Sequence, residues 1–207
     1  GPTTEAAIDA TPDAIRAYLH FLNRSGESID IPSTITTRVA EHITDGYWLG
    51  NGSPTVVYQP DLEPVTEQEL ETLIHRLTAL RGALADWAEA QTDVTLDAKA
   101  EGRTARAILL HVLGPTGAYL SPVLGTISGV SRLQTEAERG EVPVADALRQ
   151  ATAILTDRLA RATAEDRTRI VERPNELRTM RKGLRRSLEH DWEHLRELSR
   201  RTGGPPL

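Results

Sequence analysis

Apolar residues recur at helical spacing in four segments of the last two thirds of the chain. Thr66-Glu67-Gln68-Glu69 has the form of a capping box, a hydroxyl for the third backbone N–H and a carboxylate that reaches back to the first. Leu70, Leu73, Leu77, Leu80 and Leu84 follow as one stripe and predict a helix to about residue 90. A second helix is expected from near Thr104, with Ile108, His111, Val112, Pro115 and Tyr119 on one side. A third is expected over 143–162, with Ala147, Ile154 and Leu155 facing inward, and a fourth over 176–200. Gly203-Gly204-Pro205-Pro206 stops the last one. Long helices with few strands predict an all-α fold, a four-helix bundle over residues 66–201.

The N-terminal part reads differently. Thr11-Pro12-Asp13 suits a helix start, threonine as cap and proline in the first turn, and Ile15, Leu19 and Leu22 continue at helical spacing until Arg24-Ser25-Gly26. Ile35, Thr37 and Val39 alternate and predict one strand over 34–40. Residues 3–43 thus form a helix-plus-strand appendage, too small to close a core alone. Residues 44–65, rich in Gly, Pro, Asn and Asp, carry no helical period and are expected to be a linker or long loop.

Composition narrows the chemistry. The 207 residues are 39% hydrophobic and only 4% aromatic, so the core must be built from Leu, Ala, Val and Ile. A net charge of -6 argues against a nucleic-acid-binding surface. Without cysteine there is no disulfide, thiolate ligand or cysteine nucleophile, and any thiol chemistry needs an external thiol. Arginine far outnumbers lysine, which points to a GC-rich, actinobacterial type of genome. No apolar run is long enough to span a bilayer and no signal peptide is legible, so a soluble cytoplasmic protein is expected. Gly1-Pro2 reads as the scar of a protease cleavage, with a longer natural chain expected at that end.

Six histidines are present, and spacing separates them. His190 and His194 leave the same helix face one turn apart, a spacing at which two imidazoles can share a metal ion. On a wheel of about 100° per residue, they lie beside the inward stripe of Leu177, Leu184, Leu188, Leu195 and Leu198. Gly183 and Ser187 continue the histidine row, either leaving space for a pocket or allowing close helix packing. Asp191 points inward and needs a partner, an imidazole N–H whose tautomer it would fix or an arginine of a neighbouring helix. His111 sits on the apolar side of its helix, as a hydrogen-bonded core residue or as a third ligand that leaves one metal position open. Pro115 is expected to bend or break that helix four residues later, widening a pocket or displacing His111. His20, His42 and His75 have no partner at ligand spacing. Arg178, Arg181, Lys182, Arg185 and Arg186 read as a solvated helix face or, functionally, a dock for an anion. No Walker motif, GxGxxG, nucleophile elbow or zinc finger is present.

The segment ILLHVLGPTGAYL resembles the second-helix motif of the DinB-like superfamily, and RTMRKGLRRSLEHDWEHLRELSRR resembles its last helix. The resemblance spans roughly residues 60–201 and places that family's metal ligands on His111, His190 and His194. It implies a metal-binding four-helix bundle related to thiol S-transferases and a thiol-dependent maleylpyruvate isomerase. EAAIDATPDAIRAYLHFLNRSGESIDIP in turn resembles the helix and following strand of the HicB-like antitoxin fold, without the strands that precede that helix.

The resulting expectation is a divalent-metal-dependent enzyme acting on a small molecule, a mycothiol-type S-transferase or related isomerase. Zinc is the first choice of metal, nickel or iron the others, and an external low-molecular-weight thiol is implied as a cosubstrate. His111, His190 and His194 would be ligands, and Asp191 would stand behind them, orienting a ligating imidazole. The alternatives are a protein-interaction module, metal-bound or metal-free, and a hydrolase using metal-bound water. A homodimer is expected, with neither nucleic acid nor membrane as partner.

Overall fold

The computed structural model describes residues 3–50, 53, 55–99 and 102–207. The reading of Gly1-Pro2 lies outside them, as do positions 51, 52 and 54 of the expected linker. The chain forms two compact units, Gly1–Asp45 with Pro206–Leu207, and Gly46–Pro205.

In the first unit, helix α1 spans Thr4–Arg24. Its cap is Thr3, whose hydroxyl accepts the Ala6 N–H, rather than Thr11, and Pro12 lies inside the helix. Proline there leaves the Ile8 carbonyl without its helical donor. The helix ends at Arg24, where the sequence placed its stop. The expected strand over 34–40 is absent: those residues form no regular element and are largely exposed. The physical reason lies just before them. The Asn23 amide takes both backbone groups of Ile29, at 2.8 and 2.7 Å, and Arg16 donates to the carbonyls of Pro32 and Ser33 at 2.9 Å. Side chains of α1 thus tie down the returning chain, and among the described residues no neighbouring strand offers residues 34–40 a ladder.

The second unit begins with an irregular stretch and a 3-10 turn, Gln59–Leu62, followed by α2 (Glu67–Glu89), α3 (Asp93–Leu96), α4 (Ala105–Leu113), α5 (Ser121–Leu124) and α6 (Val130–Glu138). Helices α7 (Val144–Ala160) and α8 (Ala164–Thr168), strands β1 (Val171–Arg173) and β2 (Glu176–Arg178), and α9 (Met180–Ser199) complete it. Helix α2 packs on α7 and α9, α4 packs on the same two, and α6 covers α4 and α7. The fold is mostly helical with one small two-stranded sheet. No helix of the described residues is long and apolar enough to cross a membrane.

The leucine stripe of α2 behaves as its spacing predicts: Leu70, Leu77, Leu80 and Leu84 are buried, with Leu73 packed at the margin. Leu70 and Leu77 share a cluster with Leu155 and Leu159 of α7, Met180 and Leu184 of α9, and Leu120, Val123 and Leu124 from the α4–α5 region. Burying each such side chain contributes about 1.5–3 kcal/mol.

Three expectations are corrected here. The last helix starts at Met180, because residues 176–178 pair antiparallel with β1 across a Pro174-Asn175 turn, Asn175 taking a left-handed φ of 61°. Helix α6, unforeseen, buries Val130, Leu133 and Ala137. The basic cluster is not a solvated face. Lys182 is only 2% exposed and donates to the Leu177 carbonyl, Arg178 pairs with Glu176, and Arg181 reaches Glu69 and the carbonyls of Glu63 and Pro64. Arg185 grips both oxygens of buried Asp61 at 2.7 Å. These contacts pin residues 58–64, expected as linker, onto α9. Burial pushes the Asp61 carboxyl up, but Arg185 and the Tyr58 N–H more than offset it, and it titrates below the ordinary range.

The capping box of α2 carries a testable pH dependence. Glu69 accepts from the Thr66 N–H and hydroxyl and from both terminal nitrogens of Arg181. Arg181 first, then Thr66, lowers its carboxyl to about 2. A depressed carboxyl stabilises the fold above its unfolded value, and that stability is lost as pH falls through about 2. Glu69→Gln is expected to lower the melting temperature at neutral pH, a capping loss of about 1 kcal/mol. Melting curves of the two proteins should converge as pH is lowered toward about 2.

Candidate metal centre

His111 stands on the last turn of α4, and His190 and His194 on consecutive turns of α9. Pro115 does end α4, but only after His111, since the helix closes at Leu113 and the chain continues in turns. His111 therefore keeps a helical position on an element packed against α9. The three rings meet edge to face or tilted, with centroids 5.0 Å apart for His111–His190, 4.9 Å for His111–His194 and 4.6 Å for His190–His194. One ring nitrogen from each lies within 4.8 Å of the other two. His20, His42 and His75 are exposed and do not join them.

The remaining nitrogens decide which atoms face inward. His190 Nδ1 lies 3.3 Å from Asp191 Oδ1, and His194 Nδ1 lies 2.8 Å from Glu197 Oε2. A carboxylate can only accept, so each Nδ1 carries the proton and each Nε2 presents a lone pair. His190 Nε2 stands 3.3 Å from His111 Nε2. Two nitrogens that each sit about 2.0–2.1 Å from a tetrahedral zinc ion are separated by about 3.3 Å. The His111–His190 spacing is that of two ligands on one ion, and the three donors together could hold a divalent metal. Burial, then the two neighbouring imidazoles, lowers the titration of His111; burial also lowers that of His194 despite Glu197. Both shifts favour the neutral ring that a metal needs. His190 and His194 are buried whereas His111 is exposed, so the cluster opens to solvent on the α4 side.

Asp191 has both of the partners that the sequence left as alternatives. Besides His190, it accepts from Arg81 Nε at 2.7 Å, and both side chains are almost completely buried. Burial alone would raise its carboxyl, but Arg81 and His190 hold it below the ordinary value. Among the described residues Arg81 Nη1 has no hydrogen-bond partner, so Asp191 is the anion on which this buried guanidinium depends. Sequence reasoning missed Arg81, although its place among Leu77, Leu80 and Leu84 put a charge inside an apolar stripe. It also missed Glu197, three residues after His194 on the same face, which Arg103 holds from the other side at 2.9 Å.

The small residues of the histidine row serve packing. A Cβ on Gly183 would stand 2.8 Å from the Tyr119 carbonyl oxygen and from a Leu120 methyl, and the buried Ser187 hydroxyl donates to the Gly183 carbonyl. Close approach of the α4–α5 connection brings Tyr119 beside His190, ring centroids 6.2 Å apart. A cleft of about 460 Å³ lies elsewhere in this unit, lined by residues on another face of α9 together with Gly50, Ser53, Val56 and Tyr58. The histidine site is identified by its donor geometry, not by a cavity.

Comparison with protein-family models, with curated proteins and with solved structures finds no match to this chain.

Asp191→Asn strands the Arg81 charge and is expected to cost about 3–5 kcal/mol, read as early melting in the presence of a chelator. Replacing Arg81 and Asp191 together by apolar residues removes both charges and should recover part of that loss. A double variant whose loss equals the sum of the two single losses would show that the two side chains are not coupled.

Proposed function

We propose that the second unit is a DinB-like four-helix bundle whose His111, His190 and His194 hold one divalent metal, zinc first, in a small-molecule enzyme. The observation that carries this reading is the convergence of three imidazoles with Nδ1 of two of them committed to carboxylates. Helices α2, α4, α7 and α9 support the bundle, since α2 and α4 each pack on both α7 and α9. A divalent metal at such a site lowers the pKa of a coordinated thiol or water and offers a nucleophile at neutral pH. Asp191 and Glu197 would keep the ligating nitrogens of α9 deprotonated and correctly aimed. His111, on the exposed side, would leave room for the incoming molecule. The chain has no thiol of its own, so the thiol S-transferase or isomerase reading takes an external low-molecular-weight thiol, of mycothiol type, as cosubstrate.

A second reading rests on the 3.3 Å contact between His111 and His190. Without metal, His111 Nε2 can donate to His190 Nε2, and the cluster becomes a polar tie in an interaction module.

The two separate by elemental analysis of protein purified without a nickel column. One divalent metal per chain is expected, lost in His190→Ala and His194→Ala. A metal-free wild type under metal-replete conditions leaves the second reading. Consumption of a low-molecular-weight thiol by an electrophile should then be accelerated by the wild type and return to the uncatalysed rate on chelation. A homodimer is part of the proposal on the resemblance alone. Light scattering at high concentration that gives a monomer mass would remove it.

A further inference from the structure

The cleft of about 460 Å³ on α9 is lined by Arg185, Arg186, Arg196 and Arg200 against only Glu189 and Glu193, an excess of two positive charges on a chain of net charge -6. The acidic groups are partly spent. Glu189 is shared between Arg185 and Arg186, and Arg185 is committed to Asp61 as well. The guanidiniums of Arg196 and Arg200, one turn apart, have no hydrogen bond or ion pair among the described residues, and Arg196 is half-buried. Arg186 also keeps a buried Nε without a partner. Most arginines of this unit are paired with a carboxylate or a carbonyl, so unpaired guanidiniums on a concave wall stand out. Trp192, a turn before Arg196, and Tyr58, whose ring Arg185 covers at 4.9 Å, are aromatic residues of the lining.

We propose that this cleft is a second ligand site, separate from the histidine cluster, for a small oxyanion carrying a flat apolar body, with Arg196 and Arg200 on the anion and Trp192 on the ring. Guanidiniums bind phosphate and carboxylate through two parallel N–H donors, and a ring packs on the indole face. The volume lies within the range of about 300–1,000 Å³ usual for small-molecule pockets. Helix geometry supports the separation: at about 100° per residue, Trp192, Arg196 and Arg200 lie well round α9 from His190 and His194. The opposing role for these arginines is to complement the negative C-terminal end of α9.

Titration calorimetry with phenyl phosphate, benzoate and inorganic phosphate tests the site. Phenyl phosphate or benzoate is expected to bind about tenfold more tightly than inorganic phosphate, and the tighter of the two names the anion. Arg196→Gln with Arg200→Gln should weaken the tighter probe about tenfold or more. Trp192→Ala should erase the preference for the ring, and His190→Ala should leave binding unchanged. If the double variant does not fold, Arg200→Gln alone must still weaken the probe. The proposal is overturned if no probe binds the wild type, or if His190→Ala abolishes binding. It is also overturned if the arginine variants lower only the melting temperature, because the arginines then serve the helix end.

Discussion

The buried contact between Arg81 and Asp191 ties the leucine stripe of α2 to the helix that carries two of the three clustered histidines. It joins α2 to α9 through the interior, where neither charge reaches water. Two ions so placed stabilise little relative to apolar residues of the same volume, but either one left alone is costly. What the pair gives is register. Arg81 can meet Asp191 in only one rotation and translation of the two helices, and that setting also seats Leu77, Leu80 and Leu84 against the core. Because Asp191 also contacts His190, the rotation that satisfies the ion pair aims the imidazole toward His111.

Arginine repeats this role at the edges of the unit. With few aromatic residues to fill gaps, long guanidinium side chains cover the ends of helices and tie irregular segments to them. Arg185 holds Asp61, Arg181 holds the carbonyls of Glu63 and Pro64, Arg167 reaches Glu67, and Arg169 reaches the Val123 carbonyl. The bonds of Arg185 and Arg181 fix the stretch before α2. Arg103 does the same for Glu197, so the cluster is steadied by carboxylates that are themselves steadied by cations.

Helix α9 thereby serves three surfaces. One carries Leu184, Leu195 and Leu198 into the interior, one presents His190 and His194 to α4, and one lines the arginine-rich cleft. A helix with 3.6 residues per turn can divide its circumference this way only if neighbours on each side are held at fixed distances. The approach of the Tyr119 carbonyl to Gly183 sets one such distance, since any side chain at 183 would drive the α4–α5 connection away from the histidines.

The sequence alone determined what depends on local spacing. The capping box at Thr66, the stripe of α2 and the helices around His111 and His190 follow from periodicity and short-range chemistry, and the helices appear where those signals are strong; the grouping of His111 with His190 and His194 rested on the resemblance to the DinB-like superfamily. It misplaced elements whose stability comes from distant partners. Residues 34–40 alternate like a strand but have no strand beside them; residues 176–178 continue a helical pattern but pair with β1. The fate of the basic cluster was also undecidable locally, because a guanidinium is solvated or buried according to what another segment brings to it. Asp191 shows the same limit. Its inward position was legible from the wheel, but whether it meets an imidazole, an arginine or both depends on residue 81, 110 positions away along the chain. Only packing brings that charge within bonding distance, and in a medium of low polarity that distance decides the outcome.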